Sequence, residues 1–357
     1  MKGTIAIEEA VLNPKYAAQH AVLKDVLSVY SCYDHTFPSK LVDIHGERLQ
    51  KMDEHGVEYM VLSMTSAGPQ SVVDADLAAK MASDNNDYLA AEVAKNPKRF
   101  GAFAQLSMHD PVQAAAELRR AVTELGMLGA LVNDWQSTLT ADGQERKLYY
   151  DTEEFDPFWS EVQALDVPVY FHPRYALPQF PQEPWGSRIQ LQGAGVGFSL
   201  DLSWHLYALC SGGEHFVMLF PGAERKLTQA CAGLFDRFPR LKIIVGHFGE
   251  NIPLNLWRAS YQYNRMMGTH GRKSKEDYSY YWRRNFFITT SGDFHTEGLK
   301  FVIKELGLDR CLYSIDHPYS DISEGQDWWK TVDLPEKEKE AVARGNAIRL
   351  LKLPLEI

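Results

Sequence analysis

Glu8, His172, His247 and Asp316 each end a short apolar run, in TIAIE, VPVYFH, KIIVGH and CLYSID. A carboxylate or imidazole in such a place is costly to bury unless it binds a metal, a partner group or a substrate. A single histidine at the end of an apolar run is most often a hydrogen-bonded core or rim residue, because buried polar groups are normally satisfied. Four such groups on one rim point instead to a site. Together they offer oxygen and nitrogen donors without sulfur, a set suited to zinc, magnesium or manganese and poor for copper(I) or iron–sulfur clusters. Three protein ligands would leave coordination positions open for water or substrate.

What must hold these groups is a repeat of strand and helix. Eight apolar or β-branched runs recur with room for a helix between them: Thr4 to Glu8, Tyr59 to Met64, Phe100 to Ser107, Leu128 to Asn133, Val167 to His172, Lys242 to His247, Phe286 to Ser291 and Cys311 to Asp316. The intervening segments carry helix signals. Asp110 is placed to cap, Pro111 suits a first turn, AAAELRRAVTEL has the helical period and Gly126 is a stop. An open doubly wound sheet would carry a glycine-rich turn after its first strand, and EEAVLNPKY has no glycine. The pattern therefore predicts an α/β fold, a (β/α)8 TIM barrel forming one domain over residues 1–357, with the polar strand ends gathered at one mouth.

Residues 12 to about 50, with Tyr30, Tyr33 and Phe37, are too long for a plain connection and read as a lid or an excursion over the barrel rim. The 357 residues are 45% hydrophobic and 24% charged, the composition of a packed globular chain. A net charge of −10 without a basic run speaks against nucleic acid and anionic membranes as partners. No apolar stretch is long enough to span a bilayer, so a cytoplasmic protein is expected. Cys32, Cys210, Cys231 and Cys311 are widely spaced and signal neither a disulfide framework nor a thiolate zinc site.

In order along the chain, IAIEEA, GAFAQLSMHDP, GALVND, YFHPR, VGHFGENIP followed by WR, ITTSGDF, SIDHPY and GNAIRLLKL resemble the amidohydrolase-superfamily decarboxylases. Within them the sequence is most similar to the 2,3-dihydroxybenzoate, salicylate and γ-resorcylate decarboxylases. The resemblance runs nearly end to end. It implies a distorted (β/α)8 barrel, one divalent metal per subunit with no organic cofactor, and a homodimer or homotetramer. Residue by residue it implies Glu8, His172 and Asp316 as metal ligands, His247 and Glu250 as a catalytic dyad, Arg258 as an active-site arginine and His205 as a substrate-pocket residue.

The activity so implied is non-oxidative decarboxylation of an ortho-hydroxybenzoic acid, of the 2,3-dihydroxybenzoate or salicylate type, to a phenol or catechol and carbon dioxide. Asp316 would protonate the ring and His247 would manage the phenolic proton. Where hydrolytic relatives carry a second histidine on the first strand this chain has Ala10, which disfavours a two-metal hydrolase. Asp293 and His317 also depart from the pattern; the first reads as a turn residue, the second as a structural or supporting one. A further departure is the 20-residue segment Glu214 to Gly233, with five successive apolar residues from Phe216 to Phe220. It reads as a loop insertion or as a translated intron. Competing functions are action on a non-aromatic ring-cleavage product on the same fold, and an inactive barrel serving as a scaffold.

Overall fold

Strands that are apolar on both faces belong in a sheet covered on both sides, and β-branched and aromatic residues fill the expected runs. The computed structural model describes residues 2–17, 36–174, 191, 193–211, 233–270 and 274–356. β1 (Thr4–Val11), β2 (Val57–Met64) and β3 (Phe100–Ala102) form one parallel sheet. β4 (Ala130–Asn133), β7 (Val169–His172), β8 (Ile243–Val245), β9 (Phe286–Thr289) and β10 (Cys311–Leu312) form a second. A parallel bridge between Ala104 and Ala130 joins the two, with Ala104 N–H donating to the Gly129 carbonyl at 2.9 Å. Eight parallel strands thus complete a distorted (β/α)8 barrel.

The remaining seam, between β1 and the chain beyond β10, has no regular ladder. Side chains close it. The amides of Ile7 and Glu8 both donate to Ser314 Oγ, at 3.0 and 2.7 Å, and Ala10 N–H donates to the His317 carbonyl at 2.7 Å. Two successive amides aimed at one acceptor mark a bulge, and the β1–β2 register is irregular over the same stretch, between Ala6 and Glu9.

Ile5, Ile7, Tyr59, Val61, Phe103, Leu131, Tyr170, Ile244 and Leu312 pack together inside the barrel. The C-terminal helix Asn346–Leu351 covers this group with Ala347, Ile348, Leu350 and Leu351. A larger cluster fills the layer between strands and outer helices. Asp110 caps the helix Pro111–Thr123, its carboxylate accepting the Val112 amide at 2.8 Å, as its sequence predicts.

One element was not expected. β5 (Gln136–Leu139) and β6 (Glu145–Leu148) form an antiparallel hairpin after β4, turned at Asp142-Gly143. Gly143 has φ +80° there. Among the described residues no helix is long and apolar enough to cross a membrane, and Cys210 and Cys311 are buried free thiols.

The proposed lid at 12–50 is described only in part, as the short helices Pro14–Ala17 and Phe37–Val42 and the start of Glu47–His55. Of the segment 214–233 only Gly233 lies within the described residues. Gly233 sits against the end of the helix Gly197–Ser211: a Cβ on it would lie 2.2 Å from the Cys210 carbonyl oxygen. The chain therefore leaves and returns at one place. Deleting residues 214–233 is expected to leave a soluble barrel with an unchanged circular dichroism spectrum and a melting temperature no lower than that of the full chain; an insoluble product would show the segment to be integral.

Candidate metal and acid–base site

The β1 bulge lets Glu8 turn into the barrel mouth even though Ile5 and Ile7 already point inward. There Glu8 Oε2 accepts from the Tyr170 hydroxyl in a short hydrogen bond, and Thr289 Oγ1 donates to the same oxygen at 3.3 Å. Burial and the Glu8 carboxylate hold the Tyr170 pKa well above its ordinary value, so the phenol stays a donor. Glycine is required at 246, since a Cβ there would lie 2.8 Å from Glu8 Oε2. One oxygen is thus fixed. The other, Glu8 Oε1, is buried with no hydrogen-bond partner.

His172, the last residue of β7, brings Nε2 to 3.3 Å from that unpartnered oxygen. Its Nδ1 lies 2.6 Å from the Pro173 carbonyl, which requires the proton on Nδ1 and leaves the Nε2 lone pair facing Glu8. Asp316 follows β10 with φ +74°. Ligand atoms of Glu8, His172 and Asp316 all lie within 4.8 Å of one another, so the triad could hold a divalent cation. The donor chemistry fits a metal, as does the buried oxygen left without a partner.

His247 stands beside the triad. Its Nε2 is 3.8 Å from Asp316 Oδ2 and 4.0 Å from Glu8 Oε1, while Nδ1 is 2.7 Å from Glu250 Oε1. Burial disfavours the charged ring, but the carboxylates of Glu250 and Glu8 outweigh it and hold the His247 pKa well above the ordinary value. Burial pushes the Asp316 carboxyl up to about 6, with His247 opposing the shift. An acid and a base with displaced pKa values in one mouth are what proton transfer requires.

The backbone around these groups is unusual. His247, Phe248, Glu250 and Asp316 have φ of 51°, 54°, 56° and 74°, values that L residues rarely adopt. Such strain persists where surrounding structure imposes it, and it clusters at functional sites. Gly292, after β9, has φ +60°, and a Cβ on it would lie 3.4 Å from Asp316 Oδ2 and 3.7 Å from His247 Cδ2. Any other residue would project into the mouth.

The structure brings Glu8, His172, His247, Glu250 and Asp316 together at one mouth, and places the other candidates elsewhere. His205 is fully buried, with Nδ1 3.0 Å from Asp134 Oδ1 and Nε2 accepting from the Tyr150 amide at 3.2 Å. Both ring nitrogens are committed, Nδ1 to the residue after β4 and Nε2 to the chain beyond β6, so neither is free to bind substrate. Arg258 is on an exposed side of the helix Ile252–His270, and no hydrogen bond or ion pair joins it to the triad among the described residues. Ala10, in place of a further ligand, packs with Leu12, Phe37 and Leu41. Asp293 is the turn residue expected, its amide donating to the Thr290 carbonyl at 3.0 Å. His317 is buried; burial and the nearby Arg48 push its pKa far down, and its main chain helps close the barrel seam.

Tyr170 and Thr289 escaped the sequence reading because each lies inside an apolar strand run and reads as core. Tyr170→Phe removes one hydrogen bond from Glu8 Oε2. It is expected to weaken divalent-metal binding by about 10- to 100-fold and to lower stability by about 1–2 kcal/mol, measured by titration of metal-stripped protein and by denaturant unfolding. An unchanged metal affinity would refute the role given to Tyr170.

Comparison with known proteins agrees with this geometry. The amidohydrolase family model matches residues 35–353. The γ-resorcylate decarboxylase of Rhodococcus jostii is 36% identical over 357 residues, covering 99% of each chain. Among solved structures, a dihydroxybenzoic acid decarboxylase from Polaromonas, with bound manganese and the inhibitor 2-nitroresorcinol, superposes with a TM-score of 0.86 at 36% identity, over 100% of this chain and 98% of that one. The 5-carboxyvanillate decarboxylase of Sphingomonas paucimobilis superposes with a TM-score of 0.83 at 32% identity, over 99% of this chain and 100% of that one. The chain belongs to the amidohydrolase family, on its decarboxylase branch.

Proposed function

We propose that this protein is a carboxy-lyase that removes carbon dioxide, without oxidation, from an aromatic acid bearing a hydroxyl ortho to its carboxylate. The observation that carries the reading is the buried, unpartnered Glu8 Oε1 facing His172 and Asp316, with the His247–Glu250 pair alongside. γ-Resorcylate and 5-carboxyvanillate, which name two of the similar enzymes, both carry a hydroxyl next to the carboxylate. γ-Resorcylate is 2,6-dihydroxybenzoate, and the enzymes it names, 36–37% identical to this chain, favour that type of substrate over the 2,3-dihydroxybenzoate or salicylate type expected from sequence.

Glu8, His172 and Asp316 would hold one divalent ion; zinc, magnesium and manganese all suit these donors, and manganese is the ion in the similar Polaromonas structure. Bound there, the ion supplies Lewis acidity that favours the phenolate form of the substrate and fixes the ring. Asp316, taking up a proton from solvent in the substrate complex, would deliver it to the ring carbon that bears the carboxylate. The bond to the carboxylate then breaks, its electron pair restores the aromatic ring, and carbon dioxide leaves. His247, oriented through Nδ1 by Glu250, would manage the phenolic proton. No electron acceptor and no organic cofactor enter the balance.

We also propose a homodimer or homotetramer. Leu254 and Trp257 on the helix Ile252–His270 are 75% and 73% exposed, and Leu200 and Trp204 on the neighbouring helix Gly197–Ser211 are exposed as well. Asn251 Nδ2 donates to Ser199 Oγ at 2.7 Å, which joins the starts of the two helices. Large apolar side chains grouped in this way favour a protein partner over water.

Turnover of 2,6-dihydroxybenzoate, followed by carbon dioxide release and by mass spectrometry of the phenol formed, tests the activity. Chelation should abolish it, and Asp316→Asn should lower it by at least about 100- to 10,000-fold. His295→Ala removes only the cap of the helix Thr296–Leu306 and should leave the rate within a few-fold of wild type, at about 1 kcal/mol in stability. Equal damage from both substitutions would contradict the assignment. Light scattering should show Trp257→Glu smaller than the wild-type assembly; a monomeric wild type would remove the oligomer.

A further inference from the structure

The ladder of β10 ends at Leu312, yet Asp316 must be held four residues further on. The amides on either side of Asp316 have no strand partner. Both go to one side chain: Ile315 N–H donates to Glu9 Oε1 and His317 N–H to Glu9 Oε2, each at 3.0 Å, and Ser314 Oγ donates to Oε1 at 2.9 Å. Glu9 is fully buried. Arg48, also buried, donates to the carbonyl of the next residue, Ala10, at 2.7 Å and contributes a nearby positive charge.

The β1 bulge gives two adjacent glutamates different tasks. Glu8 faces the mouth, while Glu9 faces the incoming strand and grips it on both sides of the other acidic member of the triad. We propose that Glu9 is a positioning residue: by clamping the amides that flank Asp316 it sets the reach of Asp316 toward Glu8 and His172, and so the affinity of the triad for a divalent cation. This rests on the reading of the triad as a metal site. A carboxylate is needed for the grip because both of its oxygens accept. A glutamine amide would turn a donor toward either Ile315 or His317, and an aspartate is one methylene too short to span both.

The test is manganese binding to metal-stripped protein, read from free manganese by electron paramagnetic resonance, alongside thermal unfolding of the metal-free forms. Glu9→Gln is expected to weaken manganese binding by about 10- to 100-fold while still unfolding cooperatively. Glu9→Asp keeps a carboxyl group beside Arg48 and should fold even if the glutamine variant does not, yet it too should bind manganese more weakly. In an Asp316→Asn background Glu9→Gln should add less than about threefold, because Glu9 acts through Asp316. Wild-type affinity in folded Glu9→Asp or Glu9→Gln overturns the proposal, as does an undiminished effect of Glu9→Gln in the Asp316→Asn background. A wild-type chain that binds no manganese overturns the metal reading itself.

Discussion

Two carboxylates pointed at one spot in a largely buried mouth repel each other. With ligand atoms within 4.8 Å, Glu8 and Asp316 would oppose each other by roughly 3 kcal/mol at the screening typical of protein sites. Positive charge relieves this, and the site is arranged to receive it. His172 turns its lone pair inward, one oxygen of Glu8 is left without a partner, and His247 stands close to both acids. A cation among these groups would turn the repulsion into binding. Burial first, and Glu8 after it, raises the Asp316 carboxyl, while the carboxylates of Glu250 and Glu8 raise His247.

That arrangement depends on irregular backbone. A regular strand sends neighbouring side chains to opposite faces, so Glu8 can share the interior with Ile7 only because β1 bulges. Left-handed residues after β8 and at Asp316 turn the chain abruptly at the mouth, where regular strands would carry the side chains past one another. Ladder bonds lost in this way are replaced by side chains: Ser314 serves the amides of Ile7 and Glu8, and Glu9 serves those of Ile315 and His317. The short strands around the mouth are thus part of the site's construction.

The barrel was legible in the sequence because eight apolar runs with helical spacing leave few other packings, and the triad because a charged residue ending an apolar run stands out. Glu250 came from the family resemblance, and its carboxylate meets Nδ1 of His247. Other contacts were not legible. Tyr170 and Thr289 look like core until the fold shows that their hydroxyls reach Glu8, and Glu9 looks redundant beside Glu8 until the seam is seen. His205 carries no sequence mark separating a substrate contact from its bond to Asp134, a residue 71 positions away. The β5–β6 hairpin had a signal in its Asp-Gly turn, but its strands are short and mostly polar.

Ala10 bears on the same account from the opposite direction. It packs with Leu12, Phe37 and Leu41 and offers no donor to the mouth, so on the proposed reading the triad would hold a single ion with positions free for substrate. The most direct test is anomalous diffraction from crystals of this protein soaked in manganese. The account predicts one strong peak per chain, bounded by Glu8 Oε1, His172 Nε2 and the Asp316 carboxylate. A mouth without a peak, or an ion held by other residues, would contradict it.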